Sequence, residues 1–232
     1  PSGLWYNAPD LSYFKAGVDR AKAMGCSGLR ITLPYKSLVD ENGLYIQSQA
    51  AKFDAALAYA SQAGMAVIAS INHCFSWTPT TTPIAPHQIV YPNEIDDPAN
   101  LPGLFMRAGR AVAYLEAHPS VVQVELQNEV NLFFLSGERA TPVYWQNLRT
   151  YLLGLNTAVR ANCKKTISFS TSSTGAARNI IGALSYFGID LMDCHVYDDQ
   201  MLRFLFPNAD TISLEQDTRA HLAQAQQICQ AY

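Results

Sequence analysis

The sequence has little charge, since only 15% of its 232 residues are Asp, Glu, Lys or Arg and the formal net charge is −3. A chain that is weakly charged and 49% hydrophobic can bury a sizeable core, which argues against an intrinsically disordered protein. The same balance provides no general electrostatic attraction to nucleic acid or to an anionic membrane. We therefore expect neither as a partner.

Several common sequence signals are also absent. No apolar run approaches the roughly 18 to 20 residues that cross a bilayer. No Gly-rich fingerprint follows a strand-like run, which removes the main support for a nucleotide-binding sheet. No Gly-x-Ser-x-Gly motif indicates a nucleophilic serine at a strand-to-helix turn. Nothing in the sequence requires a metal ion or an organic cofactor, and we predict none.

The five cysteines show no metal-binding spacing. Cys26, Cys74 and Cys194 lie in or beside apolar strand-like runs, which predicts buried thiols. Cys163 and Cys229 lie near predicted helix ends, where a disulfide between them is one alternative. Low charge together with many Ser, Thr, Asn and Gln residues favours an exported protein, secreted or periplasmic, although the first residues do not resemble a signal peptide.

Helix-like and strand-like segments alternate along the whole chain. Apolar residues recur with helical spacing over 11–24, 48–63, 97–117, 141–162, 176–187 and from 213 to near the end. Strand-like runs cover 28–33, 65–71, 121–127, 166–170 and 189–196. Continuous apolar strands that alternate with helices are typical of a parallel sheet covered by helices.

This pattern predicts one domain over residues 1–232, either a (β/α)8 barrel or a doubly wound open sheet, which periodicity alone cannot separate. The chain is slightly shorter than the roughly 250 residues of a typical barrel. Gly25 and Gly64 are predicted helix stops, and Asp97-Pro98 and Thr141-Pro142 are predicted helix starts. The segment 73–96 is a long loop rich in Pro and Thr.

Polar residues collect where the apolar strands end. The carboxyl ends of parallel strands share one edge in either architecture, so these side chains are expected to converge there. A carboxylate, an amide, two imidazoles, a phenol and a guanidinium suit protonation of a leaving group and binding of hydroxyl groups. They belong to Arg30, Asn72-His73, Gln127-Asn128-Glu129 and His195-Val196-Tyr197.

These residues resemble the conserved positions of clan A glycoside hydrolases. The segment VELQNEVNLFF (Val124 to Phe134) is similar to the strand-four motif of that clan, and HVY (His195 to Tyr197) to its strand-six motif. Arg30 in GLRITLPY resembles the strand-two arginine, and Asn72-His73 the strand-three histidine of family 5. Val130 replaces the usual proline, and Asn131 to Phe133 resembles family 39.

The resemblance implies a TIM barrel that cleaves β-linked glycosidic bonds with retention. Glu129 would be the general acid/base, Asn128 would bind the sugar 2-hydroxyl, and Arg30 would orient the nucleophilic carboxylate. Arg30 also fits an ordinary buried ion pair, and Glu129 a glutamate at the start of a helix. The other predicted substrate-binding residues are His73, Trp77, His195 and Tyr197.

The expected second carboxylate, a glutamate that ends strand seven of the clan, is not found in the chain. Strands one, seven and eight are expected to be absent in whole or in part, so we predict a barrel that is incomplete at both ends. The chain is then a fragment of a longer enzyme, a degenerate barrel that binds sugars without cutting them, or an enzyme in which Glu215 replaces the nucleophile.

The leading expectation is a cellulase-like glycosidase acting on a polysaccharide or oligosaccharide. The main alternative is a catalytically inactive carbohydrate-binding barrel. A third is an unrelated α/β enzyme that uses His195 with Asp193 or Asp198. Oligomeric state and sugar identity are not predicted.

Overall fold

The computed structural model describes residues 11–71, 97–127, 142–171 and 190–194. Within these ranges, helices and strands alternate as predicted. The helices are α1 (Leu11–Ala23), α2 (Tyr35–Leu38), α3 (Gln47–Gln62), a 3-10 turn (Pro98–Asn100), α4 (Leu101–Glu116) and α5 (Pro142–Arg160). The strands are β1 (Gly28–Thr32), β2 (Ala66–Ser70), β3 (Val121–Glu125), β4 (Thr166–Thr171) and β5 (Leu191–Cys194). The helices predicted at 176–187 and beyond 213 lie outside the described residues.

The strands form one parallel sheet in the order β1-β2-β3-β4-β5, which is also their order along the chain. A doubly wound sheet reverses its strand order at a switch point, whereas a (β/α)8 barrel adds each strand beside the previous one. Throughout the described strands the winding never reverses. The architecture is therefore that of a (β/α)8 barrel, represented here by a run of consecutive strands.

The helix boundaries follow from local sequence. Gly25 and Gly64 adopt φ of 83° and 74°, the left-handed conformation that ends a helix and favours glycine. Asp97 accepts a hydrogen bond from the Ala99 amide at 2.9 Å and so caps the turn before α4. These predictions are confirmed. The short helix α2 was not predicted, because four residues are too few for a helical period.

The hydrophobic core lies between the helices and one face of the sheet. Ile31, Val67, Val124 and Phe169, one on each of β1 to β4, are at most 1% exposed and belong to one buried cluster with helical residues. Side chains alternate between the two faces of a strand, so the residues between them lie on the opposite face. The opposite face is the inner side of a barrel. Among the described helices, none has the length and hydropathy of a membrane span.

Three cysteines, Cys26, Cys163 and Cys194, lie within the described residues, and the side-chain environment of the first two is described. Cys26 is exposed, so the prediction of a buried thiol is wrong there: the residue belongs to the turn between Gly25 and β1 and precedes the buried part of the strand. Cys163 is a buried free thiol, and Cys229 lies outside the described residues. Burial and a hydrogen bond to Glu116 raise the pKa of Cys163 to about 11.

This environment predicts slow alkylation of Cys163. With a pKa of about 11, only about one thiol in a thousand is ionised at pH 8, and the thiolate is the reactive form. We expect iodoacetamide to modify Cys163 about two orders of magnitude more slowly in the folded protein than in guanidinium, where the thiol pKa returns to roughly 8.5. Peptide mapping by mass spectrometry measures both rates, with exposed Cys26 as the control. Equal rates for Cys163 in the two conditions would contradict the prediction.

Candidate active site

The inner face of the sheet is polar near the carboxyl ends of the strands. Thr32 pairs in register with Ser70, Ser70 with Glu125, and Glu125 with Ser168, so these side chains lie on one face in adjacent strands. Ser70, Glu125 and Ser168 are fully buried. The interior of a TIM barrel is usually filled by bulky branched apolar side chains. Polar residues in this layer therefore indicate a purpose other than packing.

An ion pair between Arg30 and Glu125 dominates this face. The Arg30 Nε donates to Glu125 Oε2 at 2.9 Å, and Nη2 donates to Oε1, so the pair is bidentate. The Ser70 hydroxyl donates to the same Oε1 at 2.7 Å. The Glu125 side chain is 0% exposed, whereas that of Arg30 is 20% exposed. Three adjacent strands thus hold one buried carboxylate and one partly accessible guanidinium.

The polar series on β3 extends on both sides of Glu125. Gln123 is buried and donates from Nε2 to the Ser168 hydroxyl at 2.8 Å. Gln127 is also buried, and its carbonyl accepts a hydrogen bond from the Ser170 amide at 3.1 Å, so pairing with β4 continues past the end of β3. Gln123, Glu125 and Gln127 follow the two-residue alternation of a strand.

Of the predicted site residues, Arg30 alone lies within the described part of the chain. It lies on the inner face of β1, and its observed partner is Glu125, in agreement with the ion-pair alternative. The remaining site residues lie outside the described ranges, so their positions stay predictions. They are His73, Trp77, Asn128, Glu129, His195 and Tyr197.

The described strands still constrain where those segments begin. β2 ends at Ser70, three positions before His73, while β3 ends four positions before Glu129 and β5 ends directly before His195. All three strands are parallel, so the chain leaves each of them at the same edge of the sheet. This is the edge to which the residues were assigned from the sequence.

Glu125 and Ser70, the buried polar side chains in the Arg30 network, are the residues that sequence reasoning missed. Both fall inside apolar strand-like runs, whereas the candidates predicted from the sequence are polar residues at the ends of such runs. The available signal was the alternation itself, because a carboxylate at the inner position of a barrel strand has no packing explanation. Among the described residues, no group of three His, Cys, Asp or Glu side chains has the arrangement of a metal site.

Comparisons with known proteins identify the fold. No family model matches the chain, and no curated protein matches its sequence. A GH5_18 protein from Streptomyces cattleya matches with a TM-score of 0.55 and 16% identity, covering 71% of this chain and 40% of its own. The exo-β-1,4-mannosidase Op5Man5 from Opitutaceae bacterium strain TAV5 matches with a TM-score of 0.53 and 14% identity, covering 72% of this chain and 29% of its own.

A family 1 β-glucosidase from Thermotoga maritima matches with a TM-score of 0.52 and 11% identity, covering 68% of this chain and 36% of its own. These proteins are clan A glycoside hydrolases with TIM barrels. At these identities the likeness establishes the fold. The predicted resemblance to clan A barrels is confirmed at that level, and the chain spans 40% or less of the length of each of these proteins. The similarity to family 39 stays a prediction.

Proposed function

We propose that this chain is part of a glycosidase that hydrolyses β-linked bonds of a polysaccharide or oligosaccharide with retention of configuration. The observation that carries the proposal is a sequentially wound parallel sheet whose strand β3 bears the polar series Gln123, Glu125, Gln127 and leads directly into Asn128-Glu129. The fold match to glycosidase barrels supports it. A polysaccharide substrate would also suit a secreted or periplasmic location.

In this proposal Glu129 is the general acid/base. It protonates the glycosidic oxygen as the bond to the sugar breaks, and then removes a proton from the water that attacks the glycosyl-enzyme intermediate. A second carboxylate, expected about 5 to 5.5 Å away, forms that covalent intermediate. By the resemblance, this nucleophile ends strand seven of the barrel.

The neighbouring residues bind the substrate. Asn128 donates a hydrogen bond to the sugar 2-hydroxyl, an interaction that strengthens as positive charge develops on the ring. Arg30 orients the nucleophilic carboxylate from the β1 side of the sheet. His73, His195 and Tyr197 line the sugar site, and Trp77 stacks on a sugar ring, where its flat apolar face matches the C–H face of the sugar.

The test uses the whole protein of which this chain is proposed to be a part. It measures hydrolysis of a panel of β-linked glucans, mannans and xylans, followed by NMR of the first-formed product. We expect release of reducing sugar from at least one of them, with the β-anomer formed before mutarotation. The α-anomer as first product would reject the retaining mechanism. No product from any of the polymers, together with no cleavage of aryl β-glycosides, would reject the proposed hydrolysis.

One observation favours a second candidate, a barrel that binds carbohydrate without cutting it. The guanidinium that is expected to orient the nucleophile already has a carboxylate partner, Glu125, inside the described part of the sheet. Isothermal titration calorimetry with cello-, manno- and xylo-oligosaccharides separates the two candidates. Binding without any product would favour the binding protein, and the absence of binding would reject it.

A further inference from the structure

We infer that Glu125 is a positioning residue that, together with Ser70, holds the Arg30 guanidinium in one orientation at the carboxyl edge of the sheet. The inference rests on the proposed function and adds two residues to that site. Neither touches the reacting bond in this scheme. Glu125 acts on the reaction through Arg30, and Ser70 acts through Glu125.

The geometry restrains both the plane of the guanidinium and its distance from Glu125. Two parallel N–H···O contacts from Nε and Nη2 fix the plane of the group as well as its distance from Glu125. A lysine at this position could supply the positive charge but not two parallel N–H donors in one plane. The contact uses two of the five N–H groups of an arginine, so it does not exhaust the capacity of Arg30 to donate hydrogen bonds to other groups.

The carboxylate is itself restrained by Ser70. The Ser70 hydroxyl donates to Oε1 at 2.7 Å from the neighbouring strand β2, and Ser70 is aligned in register with Glu125. Glu125 therefore has little freedom to rotate. The restraint passes across three strands from Ser70 to Glu125 to Arg30, all within hydrogen-bond distance.

The two partners differ in exposure. The carboxylate is 0% exposed and the guanidinium is 20% exposed, so the anion is fully enclosed while the cation keeps some access to solvent. A buried ion pair is a poor source of stability, because apolar residues of similar volume stabilise a core at least as well. The arrangement is better explained by a need to hold a cation in a defined place.

Removal of this anchor should affect the chemical step more than substrate binding. Positioning errors of about 1 Å near reacting groups lower rates by about 10²-fold. We expect Glu125→Gln to lower kcat for an aryl β-glycoside by about 10²-fold and to change KM by less than about 3-fold. Gln keeps one acceptor oxygen for Arg30 but replaces the other with an NH2 group, so the bidentate contact is lost.

A spectroscopic measurement tests the network without relying on activity. The Nε–H resonance of Arg30 in a 15N-1H spectrum is assigned by its loss in Arg30→Lys. In Glu125→Gln we expect this resonance to shift and its hydrogen exchange to accelerate by at least about 10-fold, because a hydrogen-bonded N–H is protected. Ser70→Ala, a milder change that keeps the ion pair, should give a smaller acceleration.

The matched control is Asp190→Asn. Asp190 also pairs with an arginine, Arg160, at 2.6 Å, but it directly precedes β5 and so lies at the opposite edge of the sheet. This variant removes the same kind of contact and should leave kcat and the Arg30 resonance unchanged. If circular dichroism shows that Glu125→Gln does not fold, the same measurements are made on Ser70→Ala instead.

The outcomes separate this inference from the proposed function. An inactive whole wild-type protein would reject the proposed function, while the Arg30 resonance would still decide whether Glu125 holds the guanidinium. An active wild type with unchanged kcat in Glu125→Gln would overturn the positioning role and leave the glycosidase proposal standing. An unshifted Arg30 resonance in Glu125→Gln, or an effect on KM alone, would also overturn it.

Discussion

Replacement of Glu129 by glutamine is expected to lower kcat for a natural β-linked oligosaccharide by about 10²- to 10⁴-fold, the usual contribution of general acid–base catalysis. Glutamine has nearly the same shape as glutamic acid but cannot transfer a proton at neutral pH. Substrate contacts are retained, so KM should change little. Initial rates measured over a range of substrate concentrations give the two constants separately.

The dependence on the leaving group distinguishes a proton donor from a residue that merely supports the site. A dinitrophenolate leaves without protonation, so the first half-reaction on a dinitrophenyl glycoside should be largely preserved in the variant. The second half-reaction still needs a base to activate water and becomes limiting, which predicts a burst of phenol followed by slow turnover. Azide, a nucleophile that needs no base, should restore turnover in Glu129→Ala and yield a β-glycosyl azide.

The control for this prediction is Glu116→Gln. Glu116 ends α4, at the amino side of β3, and accepts a hydrogen bond from the Lys164 amide at 3.1 Å, so the same chemical change is made at the opposite edge of the sheet. It should leave kcat unchanged. Unaltered turnover of an activated aryl glycoside by Glu129→Gln would refute the assignment of Glu129 as acid/base.

The strands were predictable because each is a short apolar run between recognisable turn residues. The predicted segment 28–33 corresponds to β1 (Gly28–Thr32), and the predicted segment 121–127 contains β3 (Val121–Glu125). Burial of parallel strands against helices makes these runs nearly continuous in apolar residues, which is a local signal. Glycine and proline at the helix ends provide a second local signal.

The choice between a barrel and an open sheet could not be predicted in the same way. It depends on which strands are neighbours, a non-local property that leaves no period in the sequence. The pairing of β1 with β2, and of each later strand with the next, settles the choice for the described strands. The exposed position of Cys26 is a smaller example, because one residue outside a strand reverses the expected burial.

The site was only partly accessible to sequence reasoning. Arg30 stood out because it is a charged residue in an apolar run, but its partner is 95 positions away and no local pattern connects the two. Ser70, 55 positions from Glu125, is similarly remote. The remaining predicted residues, including Glu129, follow the described strands in the sequence but lie outside the described residues. A motif is the available guide to them.

Truncation of Phe169 to alanine is expected to produce the largest loss of stability among single changes in the sheet. Phe169 is 0% exposed in β4, on the outer face between the inward Ser168 and Ser170, and belongs to the main buried cluster. Loss of a buried phenylalanine costs about 3 to 5 kcal/mol through lost burial and the cavity left behind. A domain has a free energy of unfolding of only about 5 to 15 kcal/mol. Urea unfolding monitored by circular dichroism measures the change.

Val122→Ala is the control in the same experiment, because it truncates an exposed side chain of the same sheet. Val122 is also a β-sheet residue, on β3, but it is 49% exposed, so its truncation should cost less than about 1 kcal/mol. A loss below about 1 kcal/mol for Phe169→Ala would contradict a core between the helices and the outer face of the sheet. The inner face would then have to supply the hydrophobic core, which is incompatible with a buried Arg30–Glu125–Ser70 network on that face.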